Sequence, residues 1–148
     1  MTIDHVRFCA AKYLKHSYGY RPAADRPDLA ALAKAKLGAA NVTQAGDVLG
    51  VQTIDEHSDE ISFVVTENGL FVVEEGRYVP YKEISGLDER YEDKQDFTVI
   101  GVRTDDGSSF DLDVKSGHGK LRDAFAVSSF LGAVRSRLRD PIPAYRPG

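Results

Sequence analysis

The sequence predicts an α+β fold in which N-terminal helices precede a seven-stranded antiparallel barrel that is capped by a long C-terminal helix. Apolar residues recur with a helical period of about 3.6 up to residue 47 and with a period of 2 beyond it. The helical period returns after residue 120. Between these points, tight turns separate the short apolar runs, which favours antiparallel pairing over a parallel α/β sheet.

Two helices are predicted in the first 40 residues. The first covers residues 3–16, where apolar side chains share one helical face. Gly19 and Pro22 interrupt the pattern. The second helix begins near Asp25, which is a plausible N-cap, has Pro27 in its first turn and ends at Gly38.

Seven short strands follow. Glu67-Asn68-Gly69 is a hairpin signal in which Gly69 is expected to adopt a positive φ, and residues 75–77 and 105–107 are two more turns. Pro80 indicates a strand end or an edge strand, because proline cannot donate to a ladder. The predicted strands are residues 48–54, 61–66, 70–74, 78–81, 86–91, 97–104 and 109–114.

One long helix is predicted over residues 120–139. Its apolar stripe is made by Leu121, Ala124, Val127, Leu131, Val134 and Leu138, with Phe125 and Phe130 expected to widen it. Arginines in the last turns complement the helix dipole, and Pro141 ends the helix. The predicted divisions are therefore a helical appendage (1–40), a barrel with its C-terminal helix (41–140) and an extended tail (141–148).

The hairpin and the corner after it carry a family resemblance. The hairpin has Phe63, Thr66, Gly69 and Leu70 in an F-x-x-T-x-x-G-L pattern, and the corner has Val79, Pro80, Tyr81 and Ile84. Over roughly residues 34–139 the chain resembles bacterial pleckstrin-homology-like (PH-like) domains. The resemblance implies the barrel-plus-helix fold and no particular activity.

Charge is distributed unevenly along the chain. Residues 54–113 hold 17 acids and 5 bases, a net charge of −12, whereas residues 1–53 and 114–148 carry +3 and +5. The whole chain has a formal net charge of −4, which disfavours a chain-wide basic nucleic-acid binder. An acidic middle between basic ends predicts either an exposed acidic face or basic helices packed along an acidic barrel.

Two places are candidate binding sites. The first is the acidic loop after the first strand, which holds Asp55, Glu56, Asp59 and Glu60; the second is the glycine-rich turn with His118 and Lys120. A helix N-terminus near a lysine can hold an anion. The turn lacks the Walker A spacing, however, and a plain strand-to-helix connection is the favoured interpretation. The loop matches no metal-binding pattern, so no metal is predicted. PH domains that bind phosphoinositides usually have a basic loop here, and the acids disfavour that ligand.

No catalytic motif is found in the sequence. Cys9 is interpreted as a small buried hydrophobe, and no cofactor is predicted. We therefore expect a cytoplasmic, non-enzymatic interaction module that binds a protein partner through an acidic face. A basic protein and a second copy of the chain, in a homo-oligomer, are both candidate partners. Two alternatives remain open. One is a neutraliser of a basic effector. The other is binding to an anionic membrane or a small molecule through Lys12, Lys15, Arg21, Arg135, Arg137 and Arg139.

Overall fold

The computed structural model describes residues 2–54, 57–91, 97–114 and 120–139, and these residues form a mixed α+β fold. The helices are α1 (Thr2–Tyr13), α2 (Pro27–Leu37), α3 (Ala39–Ala45) and α4 (Lys120–Arg139), with short 3-10 helices at Leu14–His16 and Tyr81–Glu83. The strands are β1 (Tyr20–Pro22), β2 (Val48–Thr53), β3 (Ile61–Thr66), β4 (Gly69–Val72), β5 (Arg77–Pro80), β6 (Ile84–Tyr91), β7 (Phe97–Thr104) and β8 (Ser109–Asp113). The predicted fold class and the C-terminal helix are confirmed.

The strands form two antiparallel sheets with the orders β1-β2-β3-β4-β5 and β6-β7-β8. Within the described ranges no ladder joins the two sheets, so the predicted closure into one barrel is not confirmed. Strand β1 was not predicted, because Gly19 and Pro22 are typical of a loop and the segment was interpreted as a break between two helices. It pairs with β2, where Tyr20 lies opposite Gln52.

The helix boundaries follow local signals with two exceptions. Helix α2 ends at Gly38, which has a φ of 80° as predicted. Its N-cap is Arg26 and not the predicted Asp25, and no side chain caps it. The physical reason is Pro27, which disfavours a helical conformation of the residue before it, so Arg26 (φ −135°, ψ 72°) stays outside the helix. Helix α3 follows directly and was not predicted as a separate helix.

The β3–β4 hairpin forms where predicted, but Gly69 has a different role. Its φ is not positive, unlike those of Gly76 and Gly107 in the next turns. A Cβ atom on Gly69 would lie 2.6 Å from atoms of the Tyr78 ring. The glycine is therefore needed because a side chain from β5 packs against the backbone of β4.

The main hydrophobic core lies between the two sheets, α1 and α4. Helix α4 contributes Ala124, Val127, Phe130, Leu131 and Val134, which are all 1% exposed or less. Burying a side chain such as Phe130 contributes about 1.5–3 kcal/mol to stability. The predicted stripe is therefore confirmed at these positions.

Phe125 departs from the prediction, because it is 46% exposed and does not widen the stripe. It follows the fully buried Ala124, and adjacent residues on a helix are about 100° apart, which turns Phe125 away from the sheets.

Helix α1 packs on the main core, with Val6, Cys9, Ala10 and Leu14 buried in it. A second, smaller core lies under α2, where Leu29, Ala33 and Leu37 pack against the strands β2, β3 and β4. Residues from the segment 1–40 thus contribute to both cores. Among the helices that the structure describes, none has the length and apolar character required to cross a bilayer.

Candidate functional site

The acidic loop predicted as a binding site is only partly described. Asp55 and Glu56 lie outside the described residues. Arg26 donates to both carboxylate oxygens of Asp59 at 3.2 Å and also binds Asp28. The hydrogen bond from Arg26 lowers the pKa of Asp59. Glu60 is exposed, and its backbone N–H donates to Ser58 Oγ. The ion pair with Arg26 therefore reduces the net negative charge around Asp59 below what the sequence of the loop indicates.

The glycine-rich turn gives no further support for an anion site. His118 lies outside the described residues, and Lys120 begins α4 with a side chain that is not described. The predicted site residues that the structure does describe, Asp59 and Glu60, are neighbours in one loop and converge on no common centre.

A buried carboxylate that the sequence analysis missed fixes the start of α4. Asp123 is fully buried in the first turn of the helix. It accepts hydrogen bonds from Ser17 Oγ (2.8 Å), the backbone N–H groups of Tyr18 (2.8 Å) and Gly19 (2.9 Å), and Gln52 Nε2 (3.2 Å). An acid beside the buried stripe of α4 is the only sequence signal that points to it. Asp123 ties the end of α1 and strand β2 to α4.

These hydrogen bonds hold the residues that follow α1 against the first turn of α4, and the two helices lie antiparallel. Residues Val6 and Leu138 line one cleft, and Tyr13 and Phe125 line a groove near the other end of the pair. The outer surface of the two helices carries exposed aromatic and basic side chains. We define the α1–α4 face as Phe8, Lys12, Tyr13, Phe125 and Arg137.

Contacts show that these residues share one surface. The Lys12 ammonium lies 5.8 Å from the Phe8 ring centroid and 5.3 Å from that of Tyr13. Burial raises the pKa of the Cys9 thiol, and the charges of Arg137 and Lys12 both oppose this rise, so both bases lie near Cys9 on the helix pair. Two other bases of the predicted basic set form hydrogen bonds within the chain: Arg21 donates to the Tyr18 carbonyl, and Arg135 donates to the carbonyls of Ile84 and Ser85.

Acidic residues gather where the β4–β5 turn meets the β7–β8 turn. Arg77, which follows the β4–β5 turn, donates to Thr104 Oγ1 (3.1 Å) and Ser108 Oγ (2.6 Å) beside the β7–β8 turn. It thereby places the acids of the two turns side by side. Strand β8 carries two more exposed acids, Asp111 and Asp113, on the face opposite to Phe110, over which Arg77 stacks. We define the acidic rim as the acids of the two turns, Glu74, Glu75, Asp105 and Asp106.

Ion pairs reduce the acidity of the sheets only locally. Arg77 lies 3.8 Å from Asp106, and Arg103 lies 3.2 Å from Asp88. Hydrogen bonds from Thr104 and Ser108 lower the pKa of Asp106, which keeps this carboxylate ionised. Glu74, Glu75, Asp105 and Asp106 are all exposed at these two turns.

A cleft of about 460 Å³ lies where α1 and the end of α4 meet the β3–β4 hairpin. Several of its polar groups are already engaged: Glu67 accepts from Arg7 and the Asp47 N–H, and Asn68 donates to the Gln44 carbonyl. Among the described residues, the Tyr78 hydroxyl has no hydrogen bond of standard geometry. Burial raises the pKa of Tyr78, and the nearby Thr66 hydroxyl opposes part of this rise. The cleft shows no convergent reactive groups.

Cys9 and His5 form a thiol–imidazole contact on α1, with Sγ 3.4 Å from Nε2. The thiol is 1% exposed, and burial raises its pKa, so at neutral pH it is protonated and shielded from a substrate. The interpretation of Cys9 as a buried hydrophobe is confirmed.

Comparison with known proteins gives no assignment: no family model, curated protein or solved structure matches the chain.

Proposed function

We propose that this chain is a non-enzymatic binding module that holds a basic protein partner on its acidic rim. The observation that carries the proposal is the bridge made by Arg77, which joins the acidic β4–β5 turn to the acidic β7–β8 turn. Carboxylates clustered on one side of a protein attract a basic partner and speed its association.

The proposed fold type is PH-like. Its support is the strand order, in which a four-strand meander, β2 to β5, precedes a three-strand meander, β6 to β8, and then α4. An experimental structure that showed the two sheets packed face to face under α4 would support this fold type; two sheets without a shared core would oppose it. We also propose a cytoplasmic location, which fractionation of cells that express the tagged chain would test.

The acidic rim can be tested with a labelled lysine-rich peptide by fluorescence anisotropy. We expect binding at low salt that weakens as salt is added, because exposed charges are screened. The variant Glu74→Lys/Glu75→Lys should lose about tenfold in affinity, since two attractive contacts become repulsive.

The matched control is Asp25→Lys/Glu60→Lys, which changes the net charge by the same amount at exposed positions outside the rim. Its affinity should stay close to that of the wild type. An equal loss in both variants would mean that net charge, and not a localised rim, attracts the peptide. No binding by the wild-type chain at low salt would overturn the proposed function.

A further inference from the structure

We infer that the α1–α4 face is a second binding surface that docks the protein on an anionic phospholipid membrane. This inference is independent of the acidic rim, because it concerns the opposite charge on different elements. It rests on the charge of the two helices, on two exposed phenylalanines and on the way in which Asp123 holds the helices side by side.

The charge of the face is uniform. Residues 5–16 contain no acid, and residues 123–138 contain only Asp123, which is fully buried and hydrogen-bonded. Lys12, Lys15 and Arg137 are exposed on these helices. A two-fold contact between two copies through this face would bring like charges together, which disfavours a second copy as the occupant. The complementary partner is anionic.

The aromatic residues favour a lipid surface over another anionic partner. Phe8 is 60% exposed and Phe125 is 46% exposed, and both are large apolar side chains without a polar group. Phe125 lies beside Tyr13 and His16, which are five and eight residues after Phe8. At 1.5 Å per residue, the two phenylalanines are roughly 8–12 Å apart along the helix pair.

Phenylalanines separated in this way suit an extended apolar layer, because one small ligand would not cover both. Interfacial helices combine the same residue types: aromatic side chains enter the boundary of the acyl chains while Lys and Arg contact the headgroups. The groove between Tyr13 and Phe125 reaches only one end of the face, so a peptide held in it would leave Phe8 uncovered.

Co-sedimentation of the full chain with vesicles tests this inference. Vesicles of phosphatidylcholine with about one-third phosphatidylserine should bind the chain at low salt, and pure phosphatidylcholine should bind it at least about tenfold more weakly. The charge variant Lys12→Glu/Arg137→Glu should lose about tenfold or more of the partition coefficient. Its control, Lys34→Glu/Lys36→Glu, makes the same charge change at exposed positions on α2 and should bind as the wild type does.

A second variant pair separates apolar insertion from charge. Phe8→Ser/Phe125→Ser should lose binding by about tenfold, whereas Leu32→Ser, at a 47% exposed position on α2, should not. All these positions are exposed, and unchanged thermal melting confirms that each variant is folded. Equal binding of a charge variant and its control would overturn the inference, as would full vesicle binding by the phenylalanine variant.

Three soluble probes distinguish the source of the negative charge. Glycerophosphoserine, a polyglutamate peptide and a single-stranded oligonucleotide are each added as competitors to the phosphatidylserine vesicles. Little competition at matched charge concentration supports a membrane surface. Tight binding of the peptide or the oligonucleotide without vesicle binding would replace the membrane with a protein or a nucleic acid. Loss of vesicle binding with an intact acidic rim leaves the proposed function unaffected, because the lysine-rich peptide measures the rim separately.

Discussion

Replacing Asp123 by asparagine tests the hydrogen bonds that join the segment after α1 and strand β2 to α4. Three donors converge on its Oδ2 atom, from Ser17, Gly19 and Gln52, while the Tyr18 N–H binds Oδ1. Asparagine is nearly the same size but has one carbonyl oxygen. If that oxygen takes the place of Oδ2, the amide NH₂ must face the Tyr18 N–H, which then loses its acceptor.

The magnitude follows from these contacts. An unpaired buried N–H costs about 1–3 kcal/mol, and a hydrogen bond to a neutral acceptor is weaker by roughly 1 kcal/mol than one to a charged acceptor. Removing a buried negative charge offsets part of this loss, because burying a carboxylate is itself unfavourable. We therefore expect Asp123→Asn to lower the free energy of unfolding by about 2–4 kcal/mol.

Urea unfolding, followed by circular dichroism, measures this change as a lower midpoint at an unchanged slope. The control is Asp25→Asn at an exposed position, which should stay within about 0.5 kcal/mol of the wild type. If Asp123→Asn also changed the free energy of unfolding by less than about 0.5 kcal/mol, the hydrogen bonds to Asp123 would contribute no net stability. That result would refute the expected loss.

Three further predictions use other parts of the core. Burial raises the pKa of Tyr81, so this tyrosine loses its proton at a lower pH in the unfolded chain than in the folded one. The free energy of unfolding should therefore fall as the pH rises above about 10. Urea unfolding at a series of alkaline pH values should show a smaller fall for Tyr81→Phe. Gly69→Ala should destabilise the fold by about 1–3 kcal/mol, since its Cβ meets the Tyr78 ring; a double-mutant cycle with Tyr78→Ala should show coupling, and additive effects would contradict the contact. The Cys9 thiol should react with a thiol reagent far more slowly in the native than in the urea-unfolded chain, and equal rates would contradict its burial.

Several elements could be predicted because their signals are local. The strands β3 and β4 are short runs rich in β-branched and aromatic residues on either side of a turn dipeptide, and α2 ends at a glycine that adopts a positive φ. Helix α4 has a stripe at helical spacing, which leaves little choice of buried face. In these segments the backbone conformation depends on residues within a few positions of one another.

The acidic loop shows where local reading fails. Its sequence suggests an exposed cluster of acids, but Arg26, which is 33 residues before Asp59 in the chain, folds back and neutralises part of it. Charge counted along the sequence cannot include such pairs, because they depend on which strand and helix ends meet. The acidic rim is the converse case, since Arg77 gathers acids from two separate turns.

The sequence by itself determined the α+β class, the antiparallel hairpins and the amphipathic C-terminal helix, because periodicity and turn chemistry act over short distances. Only the tertiary structure decided that Asp123 would meet Ser17 and Gln52, which are 106 and 71 positions away. It also decided that Phe125 would remain outside the core and that Gly69 would lie under a tyrosine. Such contacts arise from packing between distant segments, and no pattern of neighbouring residues encodes them.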